Sequence, residues 1–331
     1  MKNTVLTIFF FLSFQSLVFG QEGLKTDNGI IPNSNSERIN ELYIPKLEIP
    51  KTKNSEKIIS HTGYSLLYNE KYKQANWVAY ELTKQETIKV FERSNKFISD
   101  PQVKSVNVFN KDYAGSGYDR GHLAPAADMG WSQLTMEESF YFSNMSPQVP
   151  NLNRGLWKQL EEQVRLWAKE DSIVLVVTGP VLKDSLPSIG PNKVSVPKAY
   201  YKVVLDVAYP QIKAIAFVMP NEPIQGKVED YMTTVDSVER LTGLDFFPLI
   251  DNQVESILES GYCRSCWQFK AKSNHQEKAS EPSKQKVTET VKPKATTVVQ
   301  SKQCKGKNQS GVRCKRKTKS PNGYCFQHGG N

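Results

Sequence analysis

Residues 118–122 read Tyr-Asp-Arg-Gly-His, and residues 144–161 read Asn-Met-Ser-Pro-Gln-Val-Pro-Asn-Leu-Asn-Arg-Gly-Leu-Trp-Lys-Gln-Leu-Glu. The first stretch sets an imidazole, His122, beside a guanidinium, Arg120. The second sets an amide, Asn153, eight residues before a carboxylate, Glu161. Leu156, Trp157, Leu160, Val164 and Trp167 recur at helical spacing, and no Pro or Gly interrupts after Gly155, so a helix is predicted over Asn153–Glu170. Asp119–Leu123 reads as the end of one strand and Tyr141–Met145 as the next, with the helix crossing beneath. In that arrangement His122 and Asn153 stand on opposite walls of one cleft. Eight helical steps return Glu161 to within about 80° of Asn153, and helical side chains lean toward the N-terminus.

A base that activates water, a cation for a phosphate and oxygen ligands for a hard metal are the requirements of phosphodiester hydrolysis. Further stretches carry a resemblance: Asn76-Trp77-Val78-Ala79-Tyr80, Leu123-Ala124-Pro125 after His122, Ser143-Asn144 with Pro147-Gln148, and Leu241 through Pro248. In this order and spacing they resemble the DNA/RNA non-specific endonucleases of the ββα-metal superfamily, the family of the Serratia nuclease and mitochondrial endonuclease G. The resemblance covers roughly residues 43–267. It implies an α+β fold with a central, mainly antiparallel sheet flanked by helices. Strand-like runs at Gly63–Tyr68, Asn76–Leu82, Ser172–Thr178, Tyr200–Val207 and Lys213–Met219 fit that expectation, as does a helix over Val235–Leu241 stopped by Gly243.

His122 is read as the general base, since a neutral imidazole near its free pKa of about 6.5 takes a proton from water at pH 7. Asn153 is expected to bind Mg²⁺, or Mn²⁺ in its place, directly through its amide oxygen, and Glu161 to hold a metal-bound water. Arg120 is assigned to the phosphate, and Arg93 matches the family's other functional arginine more loosely. Asp119 and Asn144 either orient the site or simply cap a turn. His61 is read as structural. The sequence holds no clustered Asp/Glu set of the two-metal kind, no Gly-X-Ser-X-Gly and no phosphate-cradling Gly loop. By the resemblance, the activity is a Mg²⁺-dependent cleavage of DNA and RNA that leaves 5′-phosphates and 3′-hydroxyls. The alternative is a catalytically weak nucleic-acid-binding protein. Such a chain would be expected to have lost one of His122, Arg120, Asn153 and Glu161, and all four are present.

The net charge of +9 over 331 residues is uneven. From Gln268 to Asn331 there are 13 Lys and 2 Arg against 3 Glu, a net +12, which leaves −3 for the rest. Such a tail seeks polyanions, although a merely solvated linker has the same composition. At the other end, Met1-Lys2-Asn3 is followed by an apolar run from Val5 to Phe19 and a small residue, Gly20. That run is short of the roughly 20 residues of a spanning helix, and is read as a cleaved signal peptide over 1–20 rather than a retained anchor. The expected organisation is a signal peptide (1–20), a mobile arm (21–42), the nuclease body (43–267), a disordered basic linker (268–303) and a small module (304–331). The product is an exported protein, periplasmic or secreted, without stable membrane insertion; a homodimer is left open.

Cysteines fall at 263, 266, 304, 314 and 325, an odd number for a disulfide framework. The count resolves if Cys304, Cys314, Cys325 and His328 bind one structural Zn²⁺ and Cys263 pairs with Cys266. Disulfides with one unpaired thiol are the alternative.

Overall fold

Trp77, Val78, Ala79 and Tyr80 are all buried, as are Val174 through Val177 and Tyr200 through Leu205. Strands apolar on both sides belong to a sheet covered on both faces. The computed structural model describes residues 30–31, 44–104, 108–208, 211–269, 302–303, 305–306, 313 and 317–318. The strands in chain order are β1 (Ile30–Ile31), β2 (Ile58–Ser60), β3 (Ser65–Asn69), β4 (Gln74–Thr83), β5 (Asp119–His122), β6 (Met145–Gln148), β7 (Ile173–Pro180), β8 (Ser188–Ile189), β9 (Val194–Ser195), β10 (Ala199–Asp206), β11 (Ile212–Pro220) and β12 (Met232–Thr233). The main sheet runs β1-β11-β10-β7-β4-β3-β2, with β12 also on β11, and all its pairings are antiparallel. The α+β architecture and each of the five expected main strands are present.

On one face the helix Leu156–Asp171 lays Trp157, Leu160, Val164 and Trp167 over Val78, Tyr80, Val176, Tyr200 and Phe217. On the other, Trp77, Val177, Tyr201 and Val203 pack with Val235, Val238, Phe246 and Leu258 from the helices Val235–Thr242 and Asn252–Ser260 and the turn between them. Period-two alternation along β4 therefore sends Trp77 to one core and Val78 to the other. Truncating a fully buried Trp such as Trp157 costs about 3–5 kcal/mol. The Val235–Thr242 helix ends at Gly243, which takes a left-handed φ of 76°. Past Cys263, the chain closes back on the long helix, with Trp267 and Phe269 against Trp167 at 4.5 and 5.4 Å between ring centroids. Cys263 and Cys266 form a disulfide, the pairing the sequence suggests.

Two local expectations are corrected. The single helix over 153–170 is two helices, Pro150–Arg154 and Leu156–Asp171, broken at Gly155. The break folds the chain so closely that a Cβ on Gly155 would lie 2.3 Å from the Asn151 carbonyl oxygen. Tyr141–Met145 is not a strand: Phe142–Asn144 is a 3₁₀ turn, and the pairing strand is β6, one step later. The Asn144 side chain is bonded to the backbone of Ala124 and Ser139, and its backbone carbonyl accepts from the Leu123 N–H.

The chain divides into two units between Lys272 and Ser273. In the second, Lys302–Gln303 pairs antiparallel with Lys317–Thr318. Within the segment expected to be a mobile arm, Ile30–Ile31 pairs with β11. The expected signal peptide, most of the linker, and Cys304, Cys314, Cys325 and His328 lie outside the described residues. Among the described residues no helix is long and apolar enough to cross a membrane.

Candidate active site

β5 and β6 form their own antiparallel ribbon, with Asp119 opposite Gln148 and His122 opposite Met145, and the chain leaves β6 directly into the helix Pro150–Arg154. The strand–strand–helix unit predicted from the sequence is thus present. β5 spans it: Asp119 at one end meets the helix and His122 at the other meets an aromatic wall.

At the helix end, the Asn153 amide nitrogen donates to Asp119 Oδ2 at 2.8 Å, and Arg154 donates to both Asp119 oxygens. Partial burial pushes the Asp119 carboxyl up. The hydrogen bonds from Arg154 and Asn153, with the charges of Arg154 and Arg120, outweigh this and hold it below the usual carboxylate range. An anion here fixes which way the Asn153 amide points. Its oxygen accepts no hydrogen bond from the described residues.

At the other end, His122 is buried, and its Nε2 has no hydrogen-bond partner among the described residues. Its ring meets Phe140 edge-on at 4.9 Å and Phe97 at 5.9 Å. The same two rings carry the two candidate arginines: Arg93 lies 4.9 Å over Phe140, and Arg120 lies 4.3 Å over Phe97. Arg93 is further held by Asn95, and Arg120 by Asn110. Burial, then the charges of Arg93 and Arg120, push the imidazole down to about 3. The expectation of a nearly unperturbed histidine is therefore corrected. The imidazole is neutral, but two cations and a dry pocket make it a weaker base than a solvated one.

Glu161 sits half-buried on the long helix, makes no hydrogen bond to the described residues, and is raised by burial against the pull of Lys202 and Arg165. Arg165, one turn on, donates to Asp128 Oδ1 at 2.5 Å, and Tyr80 donates to Asp128 Oδ2 at 2.8 Å. Lys202 is fully buried in β10, its ammonium without a hydrogen-bond partner among the described residues and 5.0 Å from the Trp157 ring centroid. Sequence reasoning missed Phe97, Phe140, Arg154, Asp128, Arg165 and Lys202. Only Arg165, at i+4 from Glu161, had a local signal.

Asn144 spends its whole amide on the backbone of Ala124 and Ser139 and is fully buried. It braces the chain just after His122 and is closed off from solvent. His61 is structural, as expected: its Nε2 meets Asp100 at 2.8 Å, and Asp100 also accepts from Ser143.

A hard cation suits this donor set. An amide oxygen with its nitrogen already committed and a carboxylate without hydrogen-bond partners are oxygen ligands of the type Mg²⁺ takes. A ββα unit with a neutral buried histidine, paired arginines and such oxygens defines a class of phosphodiester-cleaving enzymes. Comparison with known proteins agrees. The family described as DNA/RNA non-specific endonuclease matches residues 47–253, and the chain belongs to that family. It is 37% identical over 206 residues to mitochondrial endonuclease G of Bos taurus, covering 58% of this chain and 69% of that protein. It is 34% identical over 209 residues to a nuclease of Nostoc sp., covering 60% and 75% respectively. The fold superposes on the crystal structure of the EndoG/EndoGI complex with a TM-score of 0.59 and 34% identity, over 65% of this chain and 94% of that one. The chain is therefore a nuclease enzyme acting on nucleic acid.

Proposed function

We propose that the protein is an exported, Mg²⁺-dependent endonuclease that hydrolyses DNA and RNA with little sequence preference. The observation that carries this reading is the fixed amide of Asn153, committed through its nitrogen to Asp119 and presenting only its oxygen. Asn153 would hold Mg²⁺ directly through its amide oxygen, and Glu161 would hold it through water. When bound, the ion supplies positive charge for the phosphate and the leaving oxygen.

The chain's own residues do the rest. Arg93 and Arg120 bind the phosphate, held by Phe140 and Phe97 as flat donors. His122 takes the proton from the attacking water. Its depressed basicity belongs to the substrate-free site. Burial is the larger cause of that depression, and a phosphate between the arginines would offset only the smaller part that their charges contribute. Asp119 and Asn144 keep the amide and the strand end in place. Cleavage between phosphorus and the 3′-oxygen leaves 5′-phosphates and 3′-hydroxyls.

Export rests on the segment 1–20, and the +12 tail supplies an electrostatic hold on long nucleic acid. Cys304, Cys314, Cys325 and His328 are the residues that would hold one structural Zn²⁺. The test is direct: the mature protein is incubated with plasmid and with RNA, in Mg²⁺ or EDTA. Cleavage of both with Mg²⁺ and of neither with EDTA is expected. Binding without cleavage in Mg²⁺ overturns the reading.

A further inference from the structure

The helices Val235–Thr242 and Asn252–Ser260 pack against each other on the face of the sheet opposite the long helix that carries Glu161. Each brings an acidic pair at helical spacing, Asp236 with Glu239 and Glu255 with Glu259. Oxygens of Asp236, Glu239 and Glu259 all lie within 4.8 Å of one another. Carboxylates on surface helices are common and carry nothing alone. Glu259 is different. It is only 6% exposed, next to the fully buried Leu258, and makes no hydrogen bond or ion pair among the described residues. A buried anion aimed at two other anions, with no donor, has a high desolvation cost unless something positive or a proton accompanies it.

Arg240 reaches the cluster only at Asp236, at 3.8 Å, and Lys51 is bound to Asp245 at 2.7 Å; among the described residues neither pairs with Glu259. Burial, then Glu239, Glu255, Asp236 and Asp245, push the Glu259 acid up to about 9, a measure of how poorly the pocket suits an uncompensated carboxylate. Glu239 has one oxygen on the Phe246 N–H and its other oxygen available.

We propose that Asp236, Glu239 and Glu259 bind one Ca²⁺ ion that clips the last two helices of the nuclease body together. Ca²⁺ suits the set better than Mg²⁺. It accepts six to eight oxygens in irregular geometry, whereas Mg²⁺ demands a near-ideal octahedron. The site straddles residue 253, where the family match ends: Asp236 and Glu239 lie within the match and Glu259 beyond it. It is separate from the nuclease reading and stands or falls without it.

The test is calorimetric titration of Ca²⁺ into the full-length protein kept in excess Mg²⁺, with melting curves alongside. A saturable Ca²⁺ binding event and a Tm that rises with Ca²⁺ are expected in the wild type. Glu259→Gln abolishes both. Asp236→Asn, an isosteric change at a half-exposed position, keeps the fold and weakens Ca²⁺ binding by at least about tenfold. Mg²⁺-supported cleavage is the same in all three. Absence of Ca²⁺ heat in the wild type, or a wild-type response in both variants, overturns the proposal. So does a Glu259→Gln protein that is more stable than a Ca²⁺-insensitive wild type, because Glu259 is then simply a protonated acid.

Discussion

The Asn153 amide nitrogen donates to Asp119 Oδ2 at 2.8 Å, tying the helix Pro150–Arg154 to the strand that ends in His122. Asp119→Ala releases that tie and leaves Asn153 able to rotate. The expected outcome is a rise in the Mg²⁺ concentration needed for half-maximal cleavage, by roughly ten- to a hundredfold. Asn153→Ala should behave similarly and lose more activity at saturating Mg²⁺. Titrating Mg²⁺ against cleavage rate checks both, and an unchanged requirement in Asn153→Ala removes that residue as the ligand.

His122→Ala is expected to lower turnover by at least about a hundredfold, since general-base catalysis contributes about 10²–10⁴. Binding of DNA should survive, because Arg93 and Arg120 stack on rings that the change leaves in place. Cleavage near the wild-type rate would show that another group takes the proton.

The same histidine sets a pH signature. Its folded pKa, about 3, lies below the unfolded value of about 6.5. The unfolded chain therefore binds the extra proton first, and His122 costs stability progressively as pH falls from about 6.5 toward 3. Wild type should lose more stability than His122→Gln between pH 7 and pH 4. Urea melts at a series of pH values measure the difference, and His122 ring signals that titrate near pH 6.5 in the free protein would contradict it.

A chain ending at Phe269 keeps every candidate residue of the nuclease site and sheds the net +12 of the tail. It should still cut, but bind long nucleic acid more weakly and with a shallower dependence on salt. Each phosphate that the shorter chain leaves unneutralised takes about 0.9 off the slope of log K against log salt. Equal slopes for the two chains would make the tail a passive linker. Zinc analysis of the full-length protein, before and after Cys304, Cys314 and Cys325 are changed to Ser, addresses the module.

The main strands were legible because a doubly covered sheet demands unbroken apolar runs, and runs such as Val174–Val177 and Val203–Leu205 supply them. The break at Gly155 was not, because its cause is a backbone approach to Asn151 that helical periodicity cannot register. His122 and Asn153 were legible from short-range spacing. The environment of His122 was not, because Arg93, Phe97 and Phe140 reach it from outside its own motif. Lys202 falls within the strand predicted over Tyr200–Val207, and nothing local in the sequence marks its surroundings. Only the packing of Trp157 over β10 reveals it as a buried charge beside Glu161.

Phe97 and Phe140 touch edge-on, with centroids 5.0 Å apart, and each carries one guanidinium. Each of the two positive charges thus rests on a hydrocarbon wall. Dissolved ions weaken the pull of those charges on a phosphate, but they have no purchase on the rings that carry them. Brine should therefore empty this cleft without bending it, and an enzyme silenced by salt should resume its full rate on dilution.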